Sequence, residues 1–112
     1  MNIRSEHGFT LVELIVTLVI VGILAAAALT RYLDLSSAAK SGACRTNQLS
    51  MESAQAMHFS TTSLEGEGSY ATQFSELADF IKGGAIPQCP GGGTYSLLST
   101  GRVTCSIAKH HR

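Results

Sequence analysis

One segment dominates what this chain can become. Phe9 to Leu29 reads FTLVELIVTLVIVGILAAAAL, with seventeen apolar residues in 21 positions. As a helix it would rise ~31 Å, about one bilayer core. Apolar residues are 45% of the 112-residue chain, about 50 in all, so the other 91 positions hold about 33. The chain is a hydrophobic rod joined to a polar remainder, which excludes a soluble domain of average composition. It is no disordered chain either, because the remainder still carries enough apolar residues for a small core. Eight Lys and Arg balance eight Asp and Glu, which argues against a basic nucleic-acid binder. Arg4 precedes the run, and the positive-inside rule then puts the amino end in and the carboxyl end out.

Three readings compete for the rod. It can be a secretory signal peptide, with small-residue cleavage sites at Ala26, Ala27 and Ala28. It can be a plain membrane anchor. Glu13 suits neither. A carboxylate at the centre of a lipid-embedded helix costs roughly 2.5–3.5 kcal/mol, less near an end. No Lys or Arg lies within the run to pair with it. Its partner must come from another chain or from a charge made by processing. A cut after Gly8 makes such a charge, the α-amino group of Phe9, four residues from Glu13 and on roughly the same helix face.

Gly8-Phe9-Thr10-Leu11-Val12-Glu13, followed by about sixteen apolar residues, resembles the class III signal of type IV pilins and type II secretion pseudopilins. Gly22 and Tyr32 also fall where that family commonly has Gly and Tyr. The resemblance implies that Gly8 ends a leader of residues 1–8 cut by a prepilin peptidase. Phe9 then becomes the mature amino terminus and is N-methylated. Glu13 neutralises the Phe9 amine of a neighbouring subunit during assembly, where an unpaired buried carboxylate would be very costly. The chain departs from the family pattern at Thr30, where many major pilins carry a kinking Pro, and at His7, where Lys or Arg is common.

No Pro interrupts Phe9 to Ile86, and the sequence stays helix-friendly after Asp34. One helix is expected from about Phe9 to Ser60. Its apolar half, 9–34, is the membrane and filament-core segment, and its amphipathic half belongs to a small head, 35–112. Leu35, Ala39, Gly42, Thr46, Leu49, Ser53 and Ala56 recur at alternating steps of three and four, which predicts the face that packs on the head. Thr61, Thr62 and Ser63 with Gly66 and Gly68 are expected to end the helix. Phe74, Leu77, Ala78 and Ile81 share one face of a short second helix, with Ser75 as N-cap. Thr94–Leu98 and Arg102–Ile107 read as a hairpin. The expected fold is thus α+β, a pilin-like ladle of one long helix on a head with a short helix and a β-hairpin.

Two strands alone are marginal, so a staple is expected. An exported head meets an oxidising compartment. Cys89 and Cys105 bracket the hairpin, and Cys-Pro-x-Gly-Gly with a later Val-Thr-Cys-Ser is similar to the carboxyl-terminal pattern of small pilins. A Cys89–Cys105 disulfide is expected, contributing ~3 kcal/mol in the chain-entropy model. Cys44 is left as a small buried residue, and a bridge from Cys44 to the hairpin is the rival pairing.

No metal-ligand spacing stands out, no cofactor is implied, and no enzyme is expected. His110, His111 and Arg112 read as a solvated tail. Gly91-Gly92-Gly93 follows Pro90 in a turn and opens no phosphate-binding helix. Glu65, Glu67, Glu76 and Asp79 read as a solvated acidic region rather than a calcium site. Lys109 with Arg112 make too small a patch for DNA. The favoured function is a structural filament subunit, self-associating with other pilin or pseudopilin subunits. It is processed by prepilin peptidase, driven by assembly machinery, and held in the inner membrane before export into a pilus or pseudopilus. The alternative is a small secreted disulfide module whose first 28 residues are an ordinary signal peptide.

Overall fold

The computed structural model of the chain describes residues 8–111. The expectations placed on leader residues 1–7 and on Arg112 lie outside the described residues. The chain divides into two compact units, residues 1–36 and 37–112. Helix α1 spans Leu11–Leu64, α2 spans Phe74–Leu77, and strands β1 (Tyr95–Leu97) and β2 (Val103–Cys105) follow. Single 3-10 turns lie at Ala78–Phe80 and Ala108–His110. A long amino-terminal helix, a short second helix and a two-stranded antiparallel sheet are the α+β pilin-like content that the sequence predicts.

α1 begins where its chemistry allows. The Thr10 hydroxyl accepts the Glu13 N–H at 3.3 Å, and the Glu13 carboxylate accepts the Thr10 N–H at 3.0 Å. This reciprocal capping box satisfies amide protons that the first helical turn leaves orphaned. The helix therefore starts at Leu11 rather than Phe9.

Its far end lies beyond the expected Ser60, for a local reason. Ser60, Thr61, Thr62 and Ser63 turn their hydroxyls back onto the carbonyls of Ala56, Met57, His58 and Phe59, at 2.7–3.1 Å. Such side chains compete with a helix when they bond elsewhere, but here they bond within it. The stop comes at Gly66, φ +96°. The N–H of Gly66 bonds Ser63 O and that of Glu67 bonds Thr62 O, a Schellman closure that needs a left-handed residue.

The face of α1 that packs on the head is not the one the apolar pattern predicts. Cys44, Gln48, Met51, Ala54 and Gln55 are buried. Leu35, Ala39, Gly42, Thr46, Leu49, Ser53 and Ala56 are all exposed. Two glutamines lie inside because the head is mostly loop, and loop backbone needs donors and acceptors. Gln55 clasps Ala71, giving its Nε2–H to Ala71 O at 3.0 Å and taking the Ala71 N–H at 2.8 Å. One heptad earlier, Gln48 Nε2 donates to His110 O at 2.7 Å. Asn47 reaches Gln88 O, Ser41 and Arg45 reach Lys109 O, and Glu52 accepts the Val103 N–H. A count of apolar residues alone misplaces such a face.

The short helix keeps its expected apolar face, with Leu77 fully buried and Phe74, Phe80 and Ile81 around it. Its cap is not Ser75. The Glu76 carboxylate takes the N–H groups of Thr72 and Gln73 at 2.8 and 3.1 Å. Those bonds, Gln73 first, hold its acid below the ordinary carboxylate range. The hairpin pairs Tyr95 with Cys105, Ser96 with Thr104 and Leu97 with Val103. Its turn requires glycine at position 101. There φ is +80°, and an added Cβ would fall 2.5 Å from the Tyr70 ring.

Candidate functional site

Two places carry chemistry. In the first unit, Phe9 is 88% exposed, and the Gly8–Phe9 bond precedes the first helical residue. Exposed backbone outside a helix is what a peptidase can bind. Beyond it, Leu11 to Leu29 are exposed on every side of the helix. One 18-residue window within α1 has a mean hydropathy of 2.7 and no buried share. The helix is therefore long and apolar enough to cross a membrane. Its interior hydroxyls are satisfied locally, Thr17 on Leu14 O and Thr30 on Ala27 O, as an apolar surrounding demands. Glu13 is bonded through the capping box. The sequence points to a partner in another chain or to a charge made by processing; the structure adds a bond within the first turn of its own helix. Thr10-x-x-Glu13 is the sequence signature that marks it.

The second place is in the head. Cys44 on α1, Cys89 in the loop before β1, Cys105 at the end of β2 and His110 in the last 3-10 turn are all buried. Their ligand atoms lie within 4.8 Å of one another. Cys89 Sγ is 3.7 Å from Cys105 Sγ and 3.2 Å from His110 Nδ1. The expected Cys89–Cys105 disulfide is not formed in this structure. All three cysteines are free thiols, and 3.7 Å is contact rather than the ~2.05 Å of a bond.

The surroundings of the sulfurs are donor-rich. Gln48 Nε2 lies 3.4 Å from Cys44 Sγ, and the Tyr95 hydroxyl accepts from Asn47 Nδ2 at 3.2 Å. Burial opposes ionisation of Cys89, yet hydrogen bonds from Cys44, His110, Gly91 and Gly93 outweigh it and bring the thiol to about 6. Burial pushes Cys105 up to about 11, with Cys44 and Cys89 adding to it. The Tyr95 hydroxyl is raised by burial and then by Cys44.

The glycine run owes its composition to this cluster. A Cβ on Gly91 would meet His110 Cε1 at 2.6 Å, and one on Gly93 would meet Cys105 Sγ at 2.7 Å. The turn itself is as expected, with Gly92 N–H on Cys89 O at 3.0 Å.

Sequence reasoning found the cysteines but not their meeting with His110, which reads as part of a charged tail. From Cys44 to Cys89 is 45 residues, to Cys105 a further 16, and to His110 a further 5. No paired Cys-x-x-Cys marks the set, and only a tally of three Cys with one His hints at it. Among the acidic residues considered for calcium, Glu76 is engaged in capping α2. Lys109 presents its carbonyl to Ser41 and Arg45.

Neither a curated protein nor a solved structure matches the chain. Residues 3–29 match the family model of the prokaryotic N-terminal methylation motif. That span takes in Gly8, Phe9, Glu13 and the whole apolar run, so the chain carries a class III signal peptide continuous with a long apolar helix.

Proposed function

We propose that the chain is a structural subunit of a type IV pilus or pseudopilus, assembled by dedicated machinery with other subunits of its kind. Prepilin peptidase cuts between Gly8 and Phe9, and Phe9 is N-methylated. The mature chain waits in the inner membrane on its apolar helix, then leaves lipid for the core of a filament in the periplasm or outside the cell. The observation that carries this reading is the methylation motif at residues 3–29 on a helix whose apolar surface the chain itself leaves uncovered. Such a surface is stable only in lipid or against other copies.

Glu13 then has two successive roles. Before cleavage it caps α1 with Thr10. After cleavage it pairs with the Phe9 amine of a neighbour as the filament grows. Removing one partner of a buried ion pair costs roughly 3–5 kcal/mol, because the other charge is stranded. Two substitutions separate the roles. Glu13→Val removes both cap and charge, whereas Glu13→Gln keeps a capping-box side chain and removes only the charge. Both variants are expected to be inserted and cleaved yet fail to form filaments, scored by electron microscopy of sheared fractions. Filaments from Glu13→Gln would reduce Glu13 to a helix cap.

Intact-mass measurement of the mature protein tests the processing. The expected species begins at N-methylated Phe9. A mature chain beginning near Leu29 would instead identify an ordinary signal peptide on a secreted module and remove the filament reading.

A further inference from the structure

We propose that Cys44, Cys89, Cys105 and His110 bind a structural Zn2+ ion that fastens the head. The site does not depend on the filament reading, since all four donors lie within residues 37–112.

The donors and their geometry select the metal. Three thiolate sulfurs and one imidazole nitrogen form one of the standard structural zinc sets, closed by four protein ligands. With Zn–S near 2.3 Å, a regular tetrahedron places neighbouring sulfurs ~3.8 Å apart and sulfur from nitrogen ~3.5 Å apart. The Cys89–Cys105 separation of 3.7 Å sits on that edge, and Cys89 to His110 Nδ1 at 3.2 Å is close to the second. No pair exceeds 4.8 Å. A disulfide would use two of these four groups and leave a thiol and an imidazole facing it. A metal uses all four.

The surrounding donors support the same conclusion. Gln48 Nε2 donates to Cys44 Sγ at 3.4 Å from the next turn of α1. Outer partners of this kind stabilise ligating thiolates and fix their direction. Gln48 spends its amide protons on Cys44 Sγ and His110 O, while its own Oε1 is buried without a partner among the described residues. An orphaned buried acceptor costs ~1–3 kcal/mol, so this orientation is held by the acceptors it serves. Gly91 and Gly93 leave no room for a side chain beside the cluster.

Binding is acid–base chemistry without redox. Three S–H bonds give their protons to solvent, His110 binds as neutral imidazole through Nδ1, and four metal–ligand bonds form. The result ties α1, the loop before β1, β2 and the last 3-10 turn at one point. A head with a two-stranded sheet and few buried apolar residues needs such a staple.

The test uses the full-length chain in detergent, purified without chelator or reductant. Native mass spectrometry is expected to show one zinc per chain, with three alkylatable thiols after denaturation in chelator. The reduced, metal-free chain should take up one Co2+ and develop the visible bands of a tetrahedral thiolate complex. Gln48→Ala, which removes no ligand, should weaken Zn2+ binding ~10–100-fold, and His110→Ala by more while leaving three thiols. A metal-free chain lighter by two hydrogens, with one alkylatable thiol, would overturn the proposal in favour of a disulfide. So would Co2+ uptake without thiolate bands, or Zn2+ affinity unchanged in His110→Ala.

Discussion

The two halves of α1 are made from one continuous helix, yet they satisfy their surfaces in opposite ways. From Leu11 to Leu29 the side chains are apolar on all sides and exposed, and polar groups close on their own helix. From Ser41 to Gln55 the helix buries one narrow face, and much of that face is polar. Gln48, Gln55, Asn47 and Glu52 spend their hydrogen bonds on the loops of the head. The first half therefore depends on surroundings the chain does not supply. The second half is completed by the chain itself. Hydrophobicity and burial, which coincide in an ordinary globule, are here inversely related along one helix.

That contrast makes a sharp prediction about stability. Leu77 is fully buried, so Leu77→Ala should cost the head ~2–5 kcal/mol. Leu18 is as apolar but 63% exposed, and Leu18→Ala should leave head unfolding unchanged. Thermal denaturation of the full chain in detergent, followed by near-ultraviolet dichroism of the head tyrosines, compares the two. Equal losses would mean that the rod contributes to the head's stability, and the contrast would collapse.

A polar residue should come next in effect. Gln55→Ala removes the side chain that pairs both the N–H and the carbonyl of buried Ala71. Leaving two buried backbone groups unpaired costs ~1–3 kcal/mol each, partly recovered where water enters. A loss of ~2–4 kcal/mol is expected in the same denaturation experiment. A loss under ~0.5 kcal/mol would show that solvent replaces Gln55 freely, and that the polar face is incidental.

These two residues also mark what the sequence made legible. The apolar run, the second helix and the hairpin each rest on a local signal: period or turn residue. They were readable because the cause lies within a few neighbours. The helix end slipped from Ser60 to Leu64 because hydroxyls that usually break helices found acceptors one turn back. Periodicity misses the buried face of α1 because glutamine is a surface residue by frequency, and only the loop opposite explains why it is inside. The thiol–imidazole cluster was hidden for the same reason. Its four members come from distant segments, and His110 borrows the appearance of a tail from His111 and Arg112.

The smallest effect is the most discriminating. Leu49 lies on the stripe that period alone marks as core, yet it is 47% exposed. If periodicity governed packing, Leu49→Ala would cost as much as a core leucine, ~2–5 kcal/mol. The structure instead predicts a change within ~0.5 kcal/mol, as for ordinary surface substitutions. Leucine and alanine are both good helix formers, so propensity adds little to the difference, and the measured value reports packing. A null result in the isolated subunit has a further use, because Leu49 in an assembled filament faces whatever lies beside it. If Leu49→Ala leaves unfolding untouched but lowers filament yield, the apolar stripe is a contact between subunits. The rule seen in the first half of α1, apolar surface kept for other copies, would then extend into the second.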